Sequence, residues 1–83
     1  MDISKEFRTH DDETADDLMV YMVAVEMRLK LAKKRAEGRG GWHTDECDIS
    51  FLRRMLETHI GKGDMVDVLN FAGMIMVKEL IES

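Results

Sequence analysis

The sequence predicts an all-α fold of three helices, and three observations carry that prediction. Apolar residues recur at steps of three and four through most of the 83-residue chain, the spacing that gathers them on one side of a 3.6-residue turn. No stretch sustains the polar/apolar alternation of a half-buried strand. Proline is absent, and Gly38, Gly40, Gly41, Gly61 and Gly63 form two clusters, with Gly73 alone elsewhere. Those clusters mark two turns between three helical runs.

The reading is one helical domain over residues 12–83 behind a polar N-terminal tail, residues 1–11. The first helix is expected over 12–37. Asp12 and Thr14 supply oxygens for the free N–H groups of a first turn, and Gly38 can take the left-handed conformation that ends a helix. Leu18, Met22, Val25, Leu29 and Ala32 form its main stripe, with Val20, Val23 and Met27 lying off it. The middle of this helix is therefore apolar nearly all round, a pattern that calls for cover on more than one side. Two further helices can scarcely supply it, so an oligomeric helical bundle is expected.

A second helix is expected over 48–60, capped by Asp48 or Thr44. The pairs Phe51/Leu52, Met55/Leu56 and His59/Ile60 repeat every four residues along it. The GKGD turn then ends it, and Asp64 is placed to cap a third helix over 64–81. That helix is again apolar nearly all round, with Asp67 and Asn70 as polar exceptions in its first half. Gly73 in its interior costs about 1 kcal/mol relative to Ala, which suggests a close approach by a neighbouring helix. Eight methionines suit interfaces that adapt to one another.

Composition narrows the class. A chain of this length buries roughly 60–65% of its unfolded surface, so help from a partner is expected. The single cysteine, Cys47, closes no intramolecular disulfide, and one free thiol fits a reducing cytosol. The first residues are acidic and polar, unlike a signal or transit peptide. The longest apolar run, Leu18–Val25, is eight residues, against about 20 for a membrane span. A location in the cytoplasm, with no membrane partner, is the expectation.

A net charge of −5 argues against general affinity for duplex nucleic acid, which depends on cations replacing condensed counterions. The charge is nevertheless segregated. Six of the twelve basic residues fall between Arg28 and Arg39, and seven acids fall in the first seventeen positions. Acids at a helix start and bases at its end complement the macrodipole. The alternative is a basic rim that meets phosphates or an acidic partner.

Asp64, Asp67 and Asn70, spaced at three and three, share one side of the third helix. Such spacing suits Mg²⁺, which is held by one or two carboxylates plus substrate phosphates. Equally, Asp64 serves as an N-cap, Asp67 as a first-turn acid and Asn70 as a buried amide. His43, Asp45 and Cys47 alternate before the second helix and offer three ligands to a soft metal, without a fourth. His59 reads as a helix-end residue near the negative pole of the dipole.

Two segments carry a family resemblance. Val25–Trp42, VEMRLKLAKKRAEGRGGW, resembles the part of phage MazG-like nucleotide pyrophosphohydrolases in which a basic helix end runs into a glycine–tryptophan turn. Asp64–Met76, DMVDVLNFAGMIM, resembles the metal-site helix that follows, an acid and two residues before Asp-Val-Ala-Asn-Phe and an apolar run. The two segments come in the family's order, and residues 26–77 span the resemblance. It implies an all-α bundle, commonly a dimer or tetramer, in which carboxylate-held Mg²⁺ helps cut a nucleoside triphosphate to monophosphate and pyrophosphate.

In that resemblance Asp64 takes the place of the first acid, Asp67 of the second and Asn70 of the Asn. The sequence departs from the family upstream. A Glu-x-x-Glu pair belongs on the preceding helix, whereas SFLRRMLETHIGKGD offers Glu57 alone, among Arg53, Arg54, Thr58 and His59. The connection to the third helix is also short. Divalent metal at a pyrophosphate needs several anionic ligands, so the expectation is a scaffold that persists without efficient hydrolysis.

Two main readings follow. In the first, the chain is a phage or prophage accessory protein, non-catalytic or weakly catalytic, acting by protein or nucleotide binding in a bacterial host cell. It forms a homo-oligomer and can meet a host or phage protein. In the second, it is an active Mg²⁺-dependent nucleoside triphosphate pyrophosphohydrolase whose metal ligands are Asp64, Asp67 and Glu57. That site is completed across subunits by acids such as Glu13, Asp16 and Asp17. A third reading is a module that sequesters or senses a nucleotide without cutting it. For any bound nucleotide, Asn70, Lys34, Arg35, Arg39 and Trp42 are the candidate contacts, with Trp42 either packing the turn or stacking a base.

Overall fold

The structure, a computed structural model, describes residues 7–82, and every regular element among them is helical. Three long helices follow a helical stretch at residues 7–9: α1 (Asp12–Ala36), α2 (Ile49–Lys62) and α3 (Met65–Glu82). No helix among the described residues is long and apolar enough to cross a membrane.

Local chemistry accounts for each end. Asp11 caps α1, its Oδ1 accepting from the Thr14 N–H at 2.8 Å, and so takes one of the four orphan donors of the first turn. At the far end Gly38 adopts φ +82°. Its N–H donates to Arg35 O and the Arg39 N–H to Lys34 O, the paired bonds of a Schellman turn. Asp48 caps α2 through the Ser50 N–H. The second glycine cluster acts differently from the expectation of a stop after Ile60. Gly61 and Lys62 remain helical, and Gly63, at φ +74°, makes the turn. Only one residue needs a positive φ there, so the helix runs on until that residue. Asp64 then starts α3, its Oδ1 facing the Asp67 N–H at 3.4 Å.

α1 and α2 both pack on α3, which is the centre of the molecule. Leu52, Phe71 and Ile75 are the buried apolar residues among those described, and Trp42, Ile49, Met55, Leu56 and Met74 are packed around them. Three more side chains are buried on α3, and all are polar: Asp67, Asn70 and Lys78. This core is small. The radius of gyration is 15.2 Å, where a compact domain of this length has about 12 Å.

α1 buries no residue fully. It turns Met27, Lys30 and Lys34 toward α3, as shown by Met27 against Gly73, the Met27 carbonyl near Asn70, and the lysines at Asp67. Those positions lie half a turn away from the Leu18/Met22/Val25/Leu29/Ala32 stripe. The more continuous apolar stripe therefore faces largely outward, with Met22, Leu29 and Ala32 exposed and Leu18 and Val25 half-buried. Gly73 does lie on the α1–α3 contact, but a Cβ built there would meet Met27 Cε at 3.7 Å. The approach is of ordinary closeness and leaves room for a methyl group.

Candidate functional site

The end of α1, the turn after it, α2 and the middle of α3 border a half-open cleft of about 460 Å³, within the size range of small-molecule sites. Its walls are mainly apolar, including Leu31, Phe51, Leu52, Met55, Phe71 and Met74. Lys34, Arg35 and Arg39 bring three cationic side chains to its border, and Trp42, His43 and His59 bring three rings. The helix end explains the cations. Residues at the C-terminal turn of α1 complement the dipole, and the Schellman turn swings the chain back so that Arg39 and Trp42 border the same space. Arg39 is paired with Glu37.

The wall that carries Trp42 is fixed from below. Buried Lys78 donates to the Trp42 carbonyl at 3.1 Å and to the Thr44 carbonyl at 2.8 Å. Thr44 closes the turn on itself, its hydroxyl donating to Gly41 O at 2.8 Å. An ammonium at this depth must be hydrogen-bonded, and here it serves to hold a loop. The Trp42 and His43 rings meet edge to face at 5.8 Å.

Beside the cavity sits a charged cluster. Asp67 is 3% exposed, and its Oδ1 lies 2.7 Å from Lys34 Nζ without an aligned hydrogen bond, so the attraction is that of an ion pair. Lys30 Nζ is 3.7 Å from both Asp64 Oδ2 and Asp67 Oδ2. His59 Nδ1 faces Asp67 Oδ2 at 3.4 Å and has no hydrogen-bond partner. The Lys34 ammonium also lies over the Phe71 ring at 4.9 Å, and the His59 ring is tilted against that of Phe71 with centroids 5.2 Å apart. Burial pushes the Asp67 carboxyl up, but the close approach of the Lys34 ammonium, the contact with Asp64 and the charge of Lys30 outweigh it and hold the group down to about 2.

Asp64, Asp67 and His59 offer ligand atoms within 4.8 Å of one another. Glu57, placed with the two aspartates by the family resemblance, is exposed and belongs to no such group among the described residues. Its separation from His59 decides this. Two residues apart on a helix means about 200° of rotation, so when His59 faces α3, Glu57 faces away. The set fits Mg²⁺ badly, because Mg²⁺ wants oxygen ligands in near-octahedral geometry. Here one of the three donors is nitrogen and two ammonium groups already neutralise the carboxylates.

Of the five candidate nucleotide contacts, Lys34, Arg35, Arg39 and Trp42 border the cavity. Asn70 does not. Its amide is 2% exposed and directed at α1, with Nδ2 donating to Met27 O at 3.5 Å. His43 and Cys47 line the cavity, but with Asp45 they form no ligand group among the described residues. Sequence reasoning missed Lys30 and Lys78. Lys78 carried a signal, since a lysine three residues after Ile75 continues the buried face of α3.

Comparison of the chain with family models, curated proteins and solved structures gave no match in any of the three.

Proposed function

We propose that this chain is a non-catalytic nucleotide-binding protein built on a MazG-like scaffold. One observation carries the reading: Arg35, without an ion pair among the described residues, borders an apolar cleft that Arg39 and Trp42 also line, while the neighbouring carboxylates are already neutralised by Lys30 and Lys34. An aromatic base suits a cleft lined by Trp42 and Phe51, since base–aromatic stacking contributes about 1–3 kcal/mol and tolerates any base. Phosphates suit the border, where arginine binds them through its planar fork of donors.

Hydrolysis is the less supported alternative. Metal-assisted cleavage of a triphosphate needs a cation held by several anionic ligands. In this chain Glu57 stands apart, and Asp67 would have to release Lys34 before it could bind a metal. The retained spacing of Asp64, Asp67 and Asn70 has structural uses that need no metal: a cap, an ion pair and an interhelical amide.

Isothermal titration with a panel of nucleotides, with and without Mg²⁺, tests the reading when products are analysed on the same samples. Binding in the absence of Mg²⁺, weakened by Arg35→Glu with Arg39→Glu and unaccompanied by pyrophosphate release, is the expected result. Pyrophosphate release at millimolar Mg²⁺ would establish the hydrolase reading instead.

A further inference from the structure

We infer that two copies of this chain pair through antiparallel α1 helices, with the Leu18/Met22/Val25/Leu29/Ala32 stripe of each against that of the other. This inference is independent of what the cavity binds. The stripe lies largely on the side of α1 away from α3 and runs most of a helix about 37 Å long; Met22, Leu29 and Ala32 are exposed, Leu18 and Val25 are half-buried, and Leu29 also borders a shallow cleft with Asp64 and Val66. A stable interface removes about 800 Å² per partner from water, roughly an eighth of the 6429 Å² that this chain exposes. The three buried apolar residues of the core leave the chain in need of such cover.

Charge selects the occupant and its direction. The start of α1 and the residue before it are acidic, with Asp11, Asp12, Glu13, Asp16 and Asp17, and the second half is basic from Arg28 to Arg35. A second copy laid antiparallel brings acid against base at both ends, and the two helix dipoles also oppose each other. A parallel copy sets acid against acid and base against base, which is destabilising at close range. Asp17 and Arg35 make the argument specific. They are eighteen residues apart, a whole number of turns at 3.6 residues per turn, so both lie on one flank of the stripe. Both are exposed, and neither makes an ion pair within the chain among the described residues. An antiparallel pair centred near Val25 brings each Asp17 beside the other copy's Arg35.

Sedimentation of the full chain across micromolar concentrations tests this, with circular dichroism confirming that each variant is folded. A dimer is expected, and Leu29→Glu should raise its dissociation constant at least about tenfold, since it places a charge where an apolar side chain is buried in the pair. Leu80→Glu, on the exposed face of α3, should leave the dimer intact. Asp17→Arg should weaken it by about three- to tenfold, and Asp17→Arg with Arg35→Asp should restore it, as expected for a rim charge pair. The readout is the association state, because Arg35 also borders the cavity. A monomeric wild-type chain, dissociation by Leu80→Glu rather than Leu29→Glu, or no rescue by the double exchange overturns the proposal.

Discussion

Lys34 Nζ lies 2.7 Å from Asp67 Oδ1, so one ion pair joins the last turns of α1 to the first turn of α3. Asp67→Asn leaves the Lys34 ammonium, with 15% of its side chain exposed, without its anion. Removing one partner of a buried pair is costly, whereas replacing both with apolar groups is often nearly neutral. Asp67→Asn should therefore cost about 2–3 kcal/mol in urea unfolding, less than a fully buried pair because Lys30 and the Phe71 ring remain nearby. Combining it with Lys34→Met should recover most of that loss.

The same pair makes stability depend on acid. Asp67 titrates at about 2 in the folded chain, below its usual value of 3.8, so the folded state favours the ionised form. Its contribution is present above pH 4 and is lost as the pH falls from about 4 toward about 2. An effect on the order of 1–2 kcal/mol is expected once solvent screening is allowed for. Urea midpoints measured between pH 5 and pH 2 should fall less steeply in Asp67→Asn than in the wild-type chain.

Leu52 is 1% exposed and sits at the centre of the three-residue apolar core. Leu52→Ala removes side-chain contacts that no other part of the chain can replace, at a cost of about 2–5 kcal/mol. In a chain with so small a core the variant should be largely unfolded at room temperature by circular dichroism.

Gly73→Ala should stabilise the protein by about 0.5–1 kcal/mol, through helix propensity and a less flexible unfolded chain. The added methyl would meet only Met27 Cε, at ordinary contact distance. A rise in the thermal midpoint is the expected result.

The helices were legible because their signals are local. Periodicity, caps and glycines located them, with bounds of 12–36, 49–62 and 65–82 against expected ranges of 12–37, 48–60 and 64–81. The facing of α1 was not legible in the same way. A helix apolar nearly all round has no unique inner side, and the choice fell to Lys30 and Lys34, whose partners Asp64 and Asp67 lie more than thirty residues further on. Residue spacing within α3 located Asp64, Asp67 and Asn70 on one side, but it could not show which cations the acids would meet. The rotation of α2 about its axis, which presents His59 and hides Glu57 from the cluster, is likewise fixed by packing on α3. Lys34, Arg35, Arg39 and Trp42 could be grouped from sequence because all lie within nine residues around one helix end.

Trp42 is the sole tryptophan and borders the cleft, so its fluorescence is the chain's one tryptophan signal and is sensitive to that space. The most direct measurement is a titration of this signal with ATP and with pyrophosphate in the presence of a chelator. A saturable change with ATP is expected, one that weakens as salt is raised and is lost with Arg35→Glu and Arg39→Glu together. An unchanged signal across the titration, or a change that needs Mg²⁺ and is accompanied by pyrophosphate release, would contradict it.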